Sequence, residues 1–319
     1  MDFTYSRIRK YKSCPKKYYF SEVEGIKPKI TDEKLIVGSQ VHYALERIYR
    51  GDSIVDIIGD VREKFLEVTD EMFDEEKDEQ EFALIKIEEL LKGYYDLVYP
   101  LDMEPNSDVV KALDIIDTEA EFSFKFEDIS GVEHNFKGKI DMLARTNGLW
   151  IVEHKTTAQW SDNNNLKLDE QGTSYMLAAE SSPQLDYDVK GVLYNIIRKP
   201  SIRLRKNETL DEYRKRLYGD IRERPDFYYI REFSTRSYNQ IKEFYDELRY
   251  ISHQLHKKSE SEKPIYYRNP AYMSFGQCNI MCDYTDLCIE YDEQLVEELY
   301  ERKEQNEELE QEVSDVFKI

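Results

Sequence analysis

GKIDMLARTNGLWIVEHKTT, residues 138–157, decides the fold. Its two halves, Phe136–Arg145 and Leu149–His154, read as strands. The Asn147-Gly148 pair between them favours a tight hairpin turn, where central residues take positive φ. Such a hairpin sets Asp141, near the middle of the first strand, close to Glu153 at the end of the second. Two carboxylates held at that range form a ready site for a hard divalent cation with oxygen ligands. Glu153 and Lys155 are two residues apart, so their side chains share one strand face. A lysine there can stabilise charge developing on a phosphate or orient the attacking water. His154 faces the other way, with its backbone carbonyl still in reach of a metal. Phosphodiester hydrolysis needs these parts: a metal lowers the pKa of bound water, and metal plus lysine neutralise the pentacovalent phosphate. An ordinary surface salt bridge among Asp141, Glu153 and Lys155 is the competing reading of the three residues alone.

Outward from the hairpin, Thr118–Phe126 (TEAEFSFKF) alternates, placing Ala120, Phe122, Phe124 and Phe126 on one face of a third strand. Downstream, Leu168–Glu180 reads as a helix, Val189–Ile197 as an apolar strand, 208–222 as a helix, Phe227–Phe233 as a strand and Ser237–Leu255 as a helix. Upstream the pattern is helical: a short helix around Ser6–Tyr11 broken by Pro15, then Gly38–Arg50 with Val41, Leu45 and Ile48 on one side. Helical spacing continues over 53–69 and 78–99, and Pro100 and Pro105 end it. Residues 258–276 read as irregular and 291–312 as a strongly acidic helix; no internal repeat is present. Three strands, a helix and a strand inside a helical frame predict an α/β fold with a mixed-sheet core flanked by helices.

The 319 residues suit one large domain or two coupled ones, and 40% hydrophobic residues indicate a globular chain. No apolar run approaches the roughly 20 residues of a membrane span, and residues 1–10 lack the apolar stretch of a secretory signal, so a cytoplasmic protein is expected. A net charge of −21 argues against whole-surface, nonspecific nucleic-acid binding. Basic residues nevertheless cluster: Arg7, Arg9, Lys10, Lys12, Lys16 and Lys17; Arg198, Lys199, Arg203, Arg205 and Lys206; then Arg214, Lys215 and Arg216. Local basic strips can track a phosphate backbone, and some of the 25 tyrosines could stack on bases, although solvated helix faces and core tyrosines account for the same residues. Asn195, Arg198 and Lys199, at the end of the Val189–Ile197 strand, form a candidate DNA-facing edge.

Three features favour the metal-site reading of the hairpin. His42, on the Gly38–Arg50 helix, can supply a nitrogen ligand, which suits Mn²⁺ as well as Mg²⁺. Gln171 and Tyr175, four apart on one helix face, can hydrogen-bond a substrate phosphate or base. The only cysteines are Cys14, Cys278, Cys282 and Cys288, one near the start and three near the end. Disulfides are a poor explanation in a cytoplasmic chain, and the one-plus-three arrangement suggests a four-thiolate metal site.

On Ser6–Phe20 (SRIRKYKSCPKKYYF), His42, Asp141, Glu153-His154-Lys155, Gln171, Tyr175 and the terminal cysteines, the chain resembles the RecB-like nucleases of the PD-(D/E)XK superfamily. It looks closest to the branch carrying an iron–sulfur cluster, which includes a helicase–nuclease subunit and CRISPR-associated single-strand exonucleases. The resemblance implies a restriction-endonuclease-like core with metal held by His42, Asp141, Glu153 and the His154 carbonyl. Lys155 would assist catalysis, and Gln171 and Tyr175 would contact DNA. It implies a [4Fe–4S] cluster on Cys14, Cys278, Cys282 and Cys288 that joins the N- and C-terminal regions. One departure stands out: three residues separate Cys278 from Cys282, where the branch usually has two, while five separate Cys282 from Cys288 as usual. Four thiolates also suit structural zinc, which spacing does not exclude.

The expected organisation is a cluster region at 1–20 and 258–319 with the acidic C-terminal helix, a helical region at 21–116 carrying His42, and the nuclease core at 117–257. The expected activity is a Mg²⁺- or Mn²⁺-dependent DNA exonuclease acting on single strands or ends, with 5′→3′ polarity suggested only by resemblance. A structure-specific or sequence-specific endonuclease with the same site, or a non-catalytic DNA-binding or scaffold subunit, are the alternatives. No G-x-x-x-x-G-K-[ST] phosphate loop is present, so the chain is expected to be a stand-alone nuclease or the nuclease subunit of a complex. A helicase, a recombinase or a CRISPR adaptation protein are the partner classes considered, in a phage, mobile-element or CRISPR setting.

Overall fold

The computed structural model describes residues 1–29, 33–69, 74–103, 113–159, 164–185, 188–269, 271, 278 and 282–302. The chain begins with strand β1 (Asp2–Phe3), helices α1 (Tyr5–Ser13) and α2 (Pro15–Tyr18), a π-helical turn at Tyr19–Val23 and strand β2 (Ile26–Pro28). Helices α3 (Glu33–Tyr49), α4 (Ile54–Thr69), α5 (Asp74–Leu97) and α6 (Tyr99–Met103) follow. The central stretch is β3 (Asp114–Glu127), β4 (Glu133–Arg145), β5 (Leu149–Thr157), α7 (Asn164–Lys167), α8 (Glu170–Ser181) and β6 (Val189–Arg198). Then come α9 (Leu210–Glu223), α10 (Pro225–Tyr228), β7 (Tyr229–Ser234) and α11 (Tyr238–Ser259). Near the end lie α12 (Thr285–Ile289), α13 (Glu293–Leu299) and β8 (Tyr300–Arg302).

The predicted hairpin is present. Asn147 and Gly148 both take positive φ, and Arg145 pairs with Leu149 across the turn. The sheet runs β1-β4-β5-β6-β7, with β3 on the other edge of β4. β5 and β6 are parallel, so the chain must cross over between them, and α8 lies on that crossover. The β3–β4 and β6–β7 pairs are antiparallel. Two apolar layers cover the sheet. One contains Leu143, Ile151, Tyr194 and Ile196 with Tyr175, Met176, Phe244 and Leu248 of α8 and α11. The other is built largely by α3, α4, α5 and α9, through Leu45, Ile48, Phe65, Leu90 and Leu217 among others. Each such side chain, fully buried, contributes roughly 1.5–3 kcal/mol of transfer free energy, so these layers hold the sheet rigid beneath the site.

Several expectations are corrected. The acidic helix expected over 291–312 stops at Leu299; Tyr300–Arg302 instead pairs antiparallel with Ile26–Pro28. The cause is burial: the Tyr300 ring packs with Phe20, Ile26 and Tyr284, and its hydroxyl donates to the Asp283 carbonyl at 2.8 Å. Segments near both ends of the chain are thus joined by main-chain pairing; residues past 302 lie outside the described part. The strand expected from Phe227 begins at Tyr229, because Pro225 opens a helical turn first. Of the stretch 258–276 expected to be irregular, α11 covers the first two residues, 261–269 carry no helix or strand, and most of the rest lies outside the described residues. Glu153 is interior to β5 rather than at its end, because pairing with β6 extends the strand to Thr157.

Gly191 shows how tightly the inner strands pack. A Cβ there would sit 2.6 Å from the Ser234 carbonyl oxygen and 2.9 Å from the Trp150 ring. The Ser234 main chain is tied to β6 by its pairing with Val192, so it cannot step aside freely. Gly191→Ala is therefore expected to destabilise the fold by about 1–3 kcal/mol, seen as a lower urea midpoint with an unchanged slope.

Candidate active site

The site grows from an asymmetry in β4. One edge of β4 pairs with β3 along nearly its whole length. The other edge is divided: Asn135 and Phe136 pair with β1, while Met142–Arg145 pair with β5. After Val152, β5 leaves β4 and continues against β6 alone. Asp141 sits where the two strands part, and continuing the register by one residue sets it beside Glu153. The His154 amide, released from the β4 ladder, donates to Asp141 Oδ2 at 2.8 Å. On β3, Glu119 falls between the pairs Thr118–Met142 and Ala120–Ile140 that flank Asp141, and it has φ 56°, a conformation disfavoured for a residue with a side chain.

Helix α3 brings His42 to this opening, with Nδ1 3.4 Å from Asp141 Oδ2. Burial works against charge on the His42 ring, but the charge and hydrogen bond of Asp141 prevail and push its pKa up to about 9. Burial likewise opposes charge on Asp141; the His42 cation and the His154 amide overcome it and hold that carboxyl well below the usual range. Glu153 goes the other way, since burial and the Asp141 charge raise its pKa against the pull of Lys155. Two neighbouring carboxyls with opposed proton affinities are typical of places where chemistry is done.

Lys155 reaches back to Glu153 Oε1 at 2.9 Å, to Gln171 Oε1 at 2.6 Å and to Asp169 Oδ2 at 3.4 Å. Burial would lower its pKa, but the Glu153 and Asp169 charges more than compensate, so the ammonium stays charged. Gln171 in turn donates to the Tyr175 hydroxyl at 2.9 Å. Tyr175 is buried, and burial with the charges of Glu153 and Asp141 beyond it keeps the phenol protonated. In this arrangement the Gln171–Tyr175 pair orients Lys155. Asp169 escaped the sequence reading; it accepts from the Gln171 amide as the cap of α8 and also faces Lys155. An Asp at the start of a predicted helix, shortly after a strand lysine, was the available signal.

The ring of His154 lies on the opposite face of the strand from Lys155. Its Nδ1 is 2.9 Å from the Asn195 side-chain nitrogen, and burial draws its pKa down to about 4, so the ring is neutral. Asn195 was expected on a DNA-facing edge. It is instead buried within β6, donating to the Tyr94 hydroxyl at 2.9 Å. The Tyr94 hydroxyl donates to that of Tyr49 at 2.6 Å, Tyr49 donates to Asp102, and Asp102 forms a two-pronged ion pair with Arg231. This network joins the strand of Glu153 and Lys155 to the helical frame from behind.

Other candidates lie apart. Arg198 ends β6 opposite Thr157, with its guanidinium 3.9 Å from the centre of the Phe227 ring. The Lys199 amide extends the ladder to the Thr157 carbonyl at 2.7 Å. Many residues of the basic clusters are answered locally: Arg7 and Lys10 by Glu22, Arg214 by Glu88 and Glu89, Arg216 by Glu208. Cys14 is buried between α1 and α2. Burial raises the Cys288 thiol pKa, with Cys282 and Cys14 among its charge neighbours, and Cys282 has Cys278 nearby in the same way.

Among the described residues no three His, Cys, Asp or Glu side chains are grouped as ion ligands as they stand. The donor set at the β4–β5 opening nonetheless fits a divalent cation. Asp141 and Glu153 offer carboxylate oxygens, His42 offers a ring nitrogen, and Glu153 Oε2 is buried without a hydrogen-bond partner. A buried carboxylate oxygen left unpartnered is costly and marks a position where a cation would be bound favourably. No helix among the described residues is long and apolar enough to cross a membrane. Comparison with curated proteins finds no significant match. The family profile described as PD-(D/E)XK nuclease superfamily matches residues 2–318, nearly the full length of the chain, and with that coverage the protein belongs to the PD-(D/E)XK nuclease superfamily.

Proposed function

We propose that this protein is a Mg²⁺- or Mn²⁺-dependent deoxyribonuclease that degrades single strands or DNA ends as an exonuclease. The observation that supports this most is the pairing of the orphaned Glu153 Oε2 with Asp141, His42 and a charged Lys155 at the one place where β4 and β5 part. His42, Asp141, Glu153 and the His154 carbonyl would hold the ion. When bound, it supplies Lewis acidity, lowering the pKa of water and offsetting phosphate charge. Lys155 would donate to a phosphate oxygen as negative charge builds on it. Gln171, itself bonded to Tyr175, holds the ammonium in place, and Arg198 and Lys199 would meet the DNA backbone farther along β6. The test is degradation of 5′- and 3′-labelled oligonucleotides with Mn²⁺, Mg²⁺ or chelator, beside a circular single strand. Shortening from one end with the circle spared is expected. Cleavage of the circle would instead assign an endonuclease, and no cleavage of any substrate would remove the reading.

The same reading assigns Cys14, Cys278, Cys282 and Cys288 to a [4Fe–4S] cluster. The support is that Cys282 and Cys288 pack against one apolar cluster and that the Thr285 hydroxyl donates to the carbonyls of both Cys278 and Cys282. Such a cluster would close a very long loop, so Cys288→Ala is expected to cost several kcal/mol of stability, on the order of a cross-link of that span. Anaerobically purified protein should be brown with broad absorbance near ~400 nm, lost in the variant. A colourless protein containing zinc would replace the cluster with a structural zinc site.

A further inference from the structure

A groove of about 660 Å³ opens beside Lys155, between α1 and the segment that runs from the end of β5 into α8. Three features of its lining stand together. From α1, Tyr5, Arg9 and Lys12 reach it, spaced four and three apart and therefore on one helical stripe. Opposite, Leu168 presents an aliphatic side chain 75% exposed to solvent. Gln159 and Asn165 add exposed amide groups.

The charges are distributed unequally. Glu170 is paired with Lys12, which also meets Glu247, and Asp169 is engaged with Lys155 and the α8 cap. Arg9 is exposed and, among the described residues, has no hydrogen-bond or ion-pair partner. Burial pushes the Tyr5 phenol up to about 12, so its ring is neutral. The groove thus offers a neutral aromatic ring, an exposed aliphatic side chain, two amides and an unanswered guanidinium, at the outer end of the lysine assigned to the scissile phosphate.

We propose that this groove is a subsite for one unstacked nucleotide adjoining the scissile phosphate, with its base against Tyr5 and Leu168 and its flanking phosphate paired with Arg9. The proposal rests on the nuclease reading above. Bases stack on aromatic side chains whatever their identity, amides satisfy their polar edges, and a guanidinium grips phosphate with two donors. A base inside a duplex has both faces and its pairing edge occupied, so such a groove selects single strands or frayed ends.

The test uses the full-length chain with Mn²⁺ and end-labelled single strands carrying one abasic site. Wild-type protein is expected to pause at a fixed offset from that site, with cleavage there slowed on the order of tenfold. In Leu168→Ser and Tyr5→Ala, cleavage of the intact strand should slow by a similar factor, and the pause should shrink, because a contact already lost cannot be lost again. The absence of a pause, or a pause of equal depth in all three proteins, overturns the subsite. Leu168 is exposed, so its variant keeps the test valid if Tyr5→Ala folds poorly. A second arm measures binding of a short labelled oligothymidine in chelator. Arg9→Glu should weaken it on the order of tenfold and flatten its salt dependence by about one phosphate contact. Unchanged binding removes Arg9 from the proposal. If the variants weaken binding while wild-type protein cleaves nothing, the groove stands and the nuclease reading falls. If wild-type protein cleaves and the pause is absent, the reverse holds.

Discussion

Lys155→Ala and Asp141→Ala proteins should fold normally and lose on the order of 10²–10³-fold in the rate of DNA cleavage. That is the size of effect seen when a group that stabilises transition-state charge is removed. The two losses should differ in kind. The Lys155 ammonium is held by Glu153, Gln171 and Asp169, ready to be presented to a phosphate. A group whose interaction strengthens only as charge develops acts on kcat more than on KM. Asp141 accepts from the His154 amide and faces His42, so its removal also takes a ligand from the proposed ion site, and added Mn²⁺ should recover little. Folding is expected to survive in the lysine variant, since the Lys155 side chain is 32% exposed and lies at the rim of the groove. Single-turnover cleavage with circular dichroism as a folding control is the measurement. Wild-type rates in both variants would remove the assigned site.

The second large effect is on stability. Arg231→Ala and Asp102→Ala, taken singly, should each cost about 3–5 kcal/mol, because each leaves its partner as an uncompensated buried charge. The Asp102 side chain is fully buried and that of Arg231 is 8% exposed. Asp102 accepts two guanidinium hydrogen bonds of 2.7 and 2.6 Å, a third from Tyr49 and a fourth from the Leu113 amide. For a chain of this size the melting temperature should fall by roughly 10 °C. Replacing the pair together by apolar residues of similar volume should restore much of the loss, since the native pair itself was costly to desolvate. A loss below about 1 kcal/mol in both single variants would show that water reaches this pair, contrary to its burial.

The core of the site was legible because its spacing is local. Asn147-Gly148 implied the hairpin, the hairpin implied that Asp141 meets Glu153, and strand alternation put Lys155 on the same face as Glu153. These inferences need only the two-residue period of a strand and the geometry of a tight turn. The errors occurred where tertiary contacts override local preference. Residues 300–302 lie inside the acidic run 291–312 that reads as a solvated helix, yet β2 offers an edge to pair with and Tyr300 has an aromatic pocket to fill. Asn195 ends in the interior because it lies within β6 with helices behind it, a depth that no feature of its neighbours in sequence reveals. The basic clusters were legible as charge but not as free charge. Glu22, Glu88, Glu89 and Glu208 answer several of them, and three of these four acids are distant in sequence from at least one partner.

By itself, then, the sequence determined the hairpin, the mixed-sheet class and the placing of Asp141, Glu153 and Lys155 side by side, all of which follow from short-range periodicity and turn geometry. Only the tertiary structure decided that β5 leaves β4 after Val152, that Asp102 and Arg231 pair beneath the strand, and that α1 lines a groove at Lys155. The reason is that strand pairing, burial and cavity shape depend on which distant segments meet. That choice is made by packing the whole chain at once, and no window of neighbouring residues contains it.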